Sequence, residues 1–96
     1  MGTLKNFYEL SARYDYRQSF YGKALVEVLP DGTKDLYSYL THVVRYNPKD
    51  NTAVIYGGND YDNLTNTTLR HIKEFLKQNN MPVGSKKELI KMYCKD

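Results

Sequence analysis

The sequence predicts an α+β fold: a three-stranded antiparallel β-meander, two C-terminal helices packed on one face, and a short N-terminal helix or arm. Three observations support this fold class. Two short turn sequences separate strand-like segments, and such short connections favour antiparallel pairing because parallel strands need a long crossover. Tyrosine and β-branched residues are frequent in those segments. From residue 65 onward the apolar residues recur at helical spacing, and each helical run follows a typical capping residue.

The N-terminal element is predicted over residues 3–13. Leu4, Phe7, Tyr8 and Leu10 follow helical spacing, and Thr3 can serve as the N-cap. Because the segment is short, the pattern predicts a weak helix or an ordered arm.

Three strands are predicted at residues 19–29, 35–46 and 52–56. The first turn is Pro-Asp-Gly-Thr at residues 30–33, where proline presets one dihedral angle and glycine accepts a left-handed conformation. The second turn is Asn-Pro-Lys-Asp at residues 47–50. The polar, glycine-led loop at residues 57–63 then leads into the helical part of the chain.

The two helices are the clearest elements. Thr65 is the predicted N-cap of the first, which ends at Asn-Asn-Met-Pro, residues 79–82. Ser85 caps the second, with Glu88 completing a capping box. The apolar stripes of the two helices consist of Leu69, Ile72, Phe75 and Leu76, and of Leu89, Ile90 and Tyr93.

Length and composition indicate one soluble domain over residues 1–96. The chain is 41% hydrophobic and 26% charged, which is ordinary for a globular protein. No apolar run approaches the roughly 18 residues of a membrane span, and no signal pattern opens the chain. The one cysteine, Cys94, cannot form an internal disulfide, which fits a reducing cytoplasm.

Charge is distributed unevenly. The net charge is +3, and residues 65–96 hold seven Lys/Arg against three Asp/Glu. The first 64 residues hold the other seven basic residues and eight acidic ones. A basic C-terminal third is a modest indication of an acidic partner.

Tyrosine accounts for 10 of the 96 residues, and there is no tryptophan. Such rings either fill the core of a small domain or form a contact surface, since tyrosine is enriched at interfaces and on base-stacking platforms. Tyr21, Tyr37 and Tyr39 occupy odd positions on neighbouring predicted strands, together with Lys23 and Arg45. We therefore consider Tyr21, Lys23, Tyr37 and Tyr39 candidate partner-binding residues.

A basic stripe follows the first helix at i, i+3, i+7 spacing, formed by Arg70, Lys73 and Lys77. Its cations either contact phosphates or an acidic protein surface, or form a solvated helix face. We include them among the candidate partner-binding residues.

Catalytic and metal motifs are missing from the sequence. His42, His71 and Cys94 lack zinc-ligand spacing. Alternation groups His42 with Leu36, Leu40 and Val44, and His71 is expected at the flank of the apolar stripe of its helix. No serine lies in a glycine elbow or beside a histidine, no lysine-bearing phosphate loop occurs, and the acidic loop from Asp60 fails the calcium-loop pattern. We expect no enzyme activity, no cofactor and no metal.

Four stretches together resemble a known family. They are residues 14–24, with Ser-Phe-Tyr-Gly-Lys-Ala; residues 36–43; residues 65–76, with Arg-His-Ile-Lys-Glu-Phe-Leu; and the glycine pair before the last of these. The combination is similar to a family of small uncharacterised proteins from phages of Gram-positive bacteria, over roughly residues 14–78. The resemblance implies a phage or prophage accessory protein acting in the bacterial cytoplasm.

Taken with that resemblance, the sequence predicts a monomer or homodimer that works by binding. The leading hypothesis is an inhibitor of a host defence complex, such as an anti-CRISPR protein, whose partner is a host protein or ribonucleoprotein. The alternative is a nucleic-acid-binding module that uses the tyrosine-rich sheet and the basic helices. A structural virion component is the third hypothesis.

Overall fold

Five strands form one antiparallel sheet in the computed structural model, which describes residues 6–13, 20, 22–39, 41–56 and 65–94. The strands pair in chain order, so each connection joins direct neighbours. They are β1 Asn6–Glu9, β2 Ala24–Val28, β3 Lys34–Ser38, β4 Thr41–Asn47 and β5 Thr52–Ile55. The fold is α+β, but the predicted three-stranded meander is wrong.

The first correction is the N-terminal helix or arm, which is strand β1. Its residues pair with β2 from Asn6 opposite Val28 to Glu9 opposite Leu25. The apolar spacing in this segment fits a helix, but a helix this short gains little from its own hydrogen bonds. Pairing with the free edge of β2 satisfies the backbone instead.

The second correction is residues 35–46, predicted as one strand. They form most of β3 and β4, a hairpin that reverses between Ser38 and Thr41. Tyr39 adopts φ 52°, a left-handed conformation normally supplied by Gly, Asn or Asp in such turns. The sequence carries none of these residues at the reversal, so the run of strand-forming residues conceals the turn.

One face of the sheet forms the core. Val26, Leu36, Val44 and Ile55 lie opposite one another across four strands, and none is more than 1% exposed. Helices α1 Asn66–Gln78 and α2 Lys86–Tyr93 pack against this face, where Ile72, Phe75, Leu76, Leu89 and Tyr93 join the same apolar cluster.

Both helix caps are confirmed. The Thr65 hydroxyl accepts a hydrogen bond from the Thr68 amide at 3.3 Å. In α2, Ser85 and Glu88 form the reciprocal capping box, with the Ser85 amide donating to the Glu88 carboxylate at 2.8 Å. That bond holds the pKa of Glu88 below its ordinary value.

Thr65→Ala should lower the free energy of unfolding by about 1 kcal/mol, because one amide at the start of α1 loses its acceptor. Chemical denaturation measures the change. Thr67→Ala is the matched control, because Thr67 is exposed and lies two residues further along the chain. It should change the free energy of unfolding by less than about 0.5 kcal/mol. Equal losses in both variants would contradict the capping role.

Candidate functional site

The sheet face opposite the core, here called the open face, is not covered by either described helix. Cross-strand register places Phe7, Glu27, Asp35, Arg45 and Val54 in one line across all five strands. A second line runs from Glu9 through Leu25 and Tyr37 to His42. This face therefore mixes rings and charges in a pattern unlike the apolar core.

Four rings contact one another across the open face, and we call Phe7, Tyr37, His42 and Tyr56 the aromatic row. The ring centroids of Phe7 and Tyr37 lie 5.9 Å apart, those of Tyr37 and His42 5.2 Å, and those of His42 and Tyr56 4.9 Å. All three contacts are tilted, within the range of favourable aromatic pairs. Phe7 and Tyr56, at the two ends, are 46% and 40% exposed.

A β-bulge brings His42 into this row. Simple alternation groups His42 with Leu36 and Val44 on the core face, but the register between β3 and β4 shifts at Leu36/Tyr37. His42 consequently pairs with Tyr37, whereas Val44 still pairs with Leu36. Sequence reasoning could not find this placement, because no glycine or proline marks the bulge.

Two carboxylates are buried beneath the rings. Glu27 and Asp35 are 4% and 2% exposed and lie directly opposite each other on β2 and β3. Like charges in this position repel unless they are compensated. Their compensation therefore determines how the open face is held together.

Arg45 compensates Asp35. Its Nε and second guanidinium nitrogen donate to the two carboxylate oxygens at 2.9 and 3.0 Å, a bidentate pair. Because Arg45 donates these hydrogen bonds to the Asp35 carboxylate, the pKa of Arg45 is raised above its ordinary value. His42 Nε2 lies 3.3 Å from Asp35 and 3.1 Å from the Val44 carbonyl, two acceptors, so this nitrogen carries a hydrogen.

Glu27 accepts a hydrogen bond from the Tyr37 hydroxyl at 3.2 Å. Burial, and then this bond, raise the pKa of Tyr37 above its ordinary value of 10.0. The carboxylates thus fix two of the four rings, Tyr37 through Glu27 and His42 through Asp35.

Tyr37 should make folding sensitive to alkaline pH. Because its pKa is raised in the folded protein, its contribution to stability is complete below the ordinary value of 10.0 and is lost as pH rises through the folded value. Urea denaturation between pH 8 and pH 11 measures this effect, since that range brackets the ordinary tyrosine pKa of about 10. The free energy of unfolding should fall more steeply with pH for wild type than for Tyr37→Phe. Parallel profiles would contradict the raised pKa of Tyr37 in the folded protein.

The predicted partner-binding residues that the structure describes lie at three separate places. Tyr21 and the loop at residues 57–63 lie outside the described residues. Tyr37 belongs to the aromatic row. Tyr39 and Lys23 lie at the hairpin end, where the Lys23 ammonium is 5.9 Å from the Tyr39 ring. The structure places the basic stripe of Arg70, Lys73 and Lys77 on α1, across the sheet from the aromatic row.

Tyr37 and Tyr39, although two residues apart, contact different rings. The turn at Tyr39 directs its ring toward the helix side, 5.8 Å from the ring of His71. Tyr39 and Lys23 also line a small cleft with Gly22 and Leu25. Leu25 is also the cross-strand neighbour of Tyr37, so this cleft adjoins the open face at the hairpin end, outside the aromatic row.

His71 is buried in the core, not at the flank of its helix. Its Nδ1 lies 2.8 Å from the Ser38 hydroxyl, which also lies 3.2 Å from the Thr68 hydroxyl. Phe20 packs edge-on against the imidazole at 4.7 Å. A serine–histidine contact also occurs in activated nucleophiles, but Ser38 and His71 are 2% and 1% exposed, so this contact lies in the interior of the domain. The pair joins β3 to α1.

The described residues contain neither a metal-binding cluster nor a membrane-spanning helix. No three His, Cys, Asp or Glu side chains in that part of the chain come close enough to hold a metal ion. Neither described helix has the length and apolar character needed to cross a bilayer.

The open face has little positive charge to offer a phosphate backbone. In the described part of the chain it carries the carboxylates of Glu9, Glu27 and Asp35, against Arg45 and, at the hairpin end, Lys23. Arg45 is also engaged by Asp35. The rings of this face thus lie in a neutral to weakly acidic setting.

Fold and site define the class: a small α+β domain that presents an aromatic sheet face opposite its helices. The chain belongs to the family of unknown function DUF8033, whose family model matches residues 8–91. No curated protein and no solved structure gives a significant match. The resemblance found in the sequence is confirmed at this coarser level, as membership of an uncharacterised family.

Proposed function

We propose that the protein is a non-catalytic binding domain that docks onto a partner protein through the aromatic row. The observation that carries the proposal is the set of four contacting rings on a face that no described helix covers. Aromatic side chains on a rigid scaffold are typical anchors of protein interfaces.

Charge favours a protein partner over nucleic acid on this face. Single-strand binders combine stacking rings with cations that follow the phosphate backbone. Here the rings surround two buried carboxylates, and Arg45 is held by one of them. A partner surface with apolar pockets and a few cationic groups complements this arrangement better than a polyanion does.

The buried polar contacts also favour binding by keeping the rings in place. Glu27 holds the Tyr37 hydroxyl and Asp35 lies against the His42 ring nitrogen. Side chains that are already fixed lose less conformational entropy when a partner covers them. The exposed rings of Phe7 and Tyr56 then supply the apolar contact area at the two ends of the row.

The phage resemblance gives the proposal its finer form: the partner is a host defence complex, such as a CRISPR effector, and the protein inhibits it in the bacterial cytoplasm. To cover a surface of the partner complex, this protein needs only its open face. The basic stripe of α1 lies across the sheet from the aromatic row, so a single flat contact does not include both.

A pull-down from a lysate of a Gram-positive bacterium tests the proposal, with wild type compared against Tyr56→Ala and a double Lys73→Glu, Lys77→Glu variant. Truncation of a central interface tyrosine costs about 2 kcal/mol or more, but Tyr56 lies at one end of the row, so Tyr56→Ala should weaken capture of the partner by about tenfold. The charge-reversal variant is the matched surface control and should retain the partner. Nuclease treatment of the lysate should leave capture by wild type unchanged.

Two results would overturn the proposal. If nuclease abolishes capture and charge reversal weakens it in a salt-dependent way, the protein binds nucleic acid through α1. If Tyr56→Ala captures the same partner as strongly as wild type, while thermal unfolding shows both to be folded, the aromatic row is not the contact surface.

A further inference from the structure

Strand β1 is an edge strand whose outward backbone groups can be assigned. The Leu10 amide donates to the Ala24 carbonyl at 2.9 Å, in register with the β1–β2 pairs. Hydrogen-bonded and non-hydrogen-bonded pairs alternate along antiparallel strands. Tyr8 therefore directs its N–H and C=O toward β2, whereas Phe7 and Glu9 direct theirs away from the sheet.

This edge lacks three features that commonly prevent strand addition, namely lysine, proline and a β-bulge. Asn6–Glu9 contains no lysine and no proline, and its register with β2 has no bulge. Phe7 and Tyr8 are both exposed, with Tyr8 at 43%. Among the described residues, no strand pairs with the outer side of β1.

The opposite edge of the sheet is partly occupied. The Tyr56 amide donates to the Val43 carbonyl, so by the same alternation Ile55 directs its backbone groups outward. Ile55 forms a parallel bridge with Cys94 at the end of α2. This bridge obstructs head-to-tail addition of β1 to β5 of another copy. Pairing of β1 with β1 of a second copy, about a two-fold axis, avoids that edge and gives a closed dimer.

We propose that β1 pairs antiparallel with β1 of a second copy of this chain, in a register centred on Tyr8. Directly opposed residues share a face of the sheet, so Tyr8 faces Tyr8 of the second copy and Phe7 faces Glu9. This register uses the outward N–H and C=O groups of both Phe7 and Glu9. The two five-stranded sheets become one, and the two aromatic rows lie on the same side of it.

The mass of the wild-type chain, measured by sedimentation equilibrium over a wide concentration range, tests this pairing. We expect reversible conversion from 11.2 kDa to twice that value as concentration rises. Tyr8→Lys places two like charges opposite each other at the two-fold axis and should weaken association by about tenfold or more. Tyr8→Phe, which keeps the ring, should associate as wild type does.

Glu9→Pro provides a second test that leaves Tyr8 unchanged. It removes an N–H that points outward, so the β1–β2 ladder is retained, and edge strands tolerate proline at such positions. Circular dichroism should show a folded protein, and association should be lost. A wild-type monomer at every concentration overturns the proposal, as does a dimer that neither Tyr8→Lys nor Glu9→Pro weakens. Because Tyr56 is unchanged throughout, these results are independent of the proposed partner contact.

Discussion

Phe75→Ala is expected to lower the free energy of unfolding by about 3–5 kcal/mol, because a fully buried ring is replaced by a cavity. Phe75 lies on the apolar stripe of α1, in the cluster that joins both helices to the core face of the sheet. The loss is a large fraction of the total stability of a small domain. Chemical denaturation at neutral pH measures it.

Phe7→Ala is the matched control, since it makes the same chemical change at a ring that is 46% exposed. It should cost less than about 1 kcal/mol, as expected for a surface substitution outside the core. Similar losses in the two variants would show that the core does not lie between the helices and the sheet as described.

Arg45→Met is expected to be the second most destabilising of the proposed changes, at about 2 kcal/mol. Removal of one member of a buried ion pair costs roughly 3–5 kcal/mol when both are buried. Asp35 is buried, but the Arg45 side chain is 49% exposed, so water already screens part of the interaction. The remaining cost arises because the Asp35 carboxylate loses its bidentate donor beneath the aromatic row.

A second substitution separates this charge effect from lost packing. Asp35→Asn, added to Arg45→Met, removes the uncompensated carboxylate and should recover part of the lost stability. If the double variant is less stable than Arg45→Met alone, the cost lies in side-chain packing and the proposed role of the ion pair is wrong.

The helical half of the fold could be predicted because its signals are local. Thr65, Ser85 and Glu88 cap helices through atoms within three residues of each other, so sequence spacing specifies the contact. The apolar stripes likewise depend only on spacing along one helix. These predictions are confirmed in position and in residue.

The sheet was predicted less well because its turns and pairings depend on distant parts of the chain. Tyr39 reverses the chain without a turn residue, and β1 forms because the edge of β2 is available to it. The bulge that moves His42 to the open face depends on the pairing of β3 with β4.

The candidate site was predicted only in part for the same reason. Tyr37 and Arg45 were placed together by alternation, and they do share the open face. Tyr56 and Phe7 were missed as members of the row, because five strands, not three, bring them to its ends. The Ser38–His71 contact spans 33 residues and has no sequence signal.

Photo-cross-linking from position 56 tests the protein-binding proposal most directly. A photoreactive phenylalanine derivative replaces Tyr56 in one variant and Lys77 in another, and each is irradiated in a lysate of a Gram-positive bacterium. We predict a discrete, nuclease-resistant adduct with one protein from position 56 and none from position 77. An adduct from position 77 alone, or one that nuclease removes, would contradict binding through the open face.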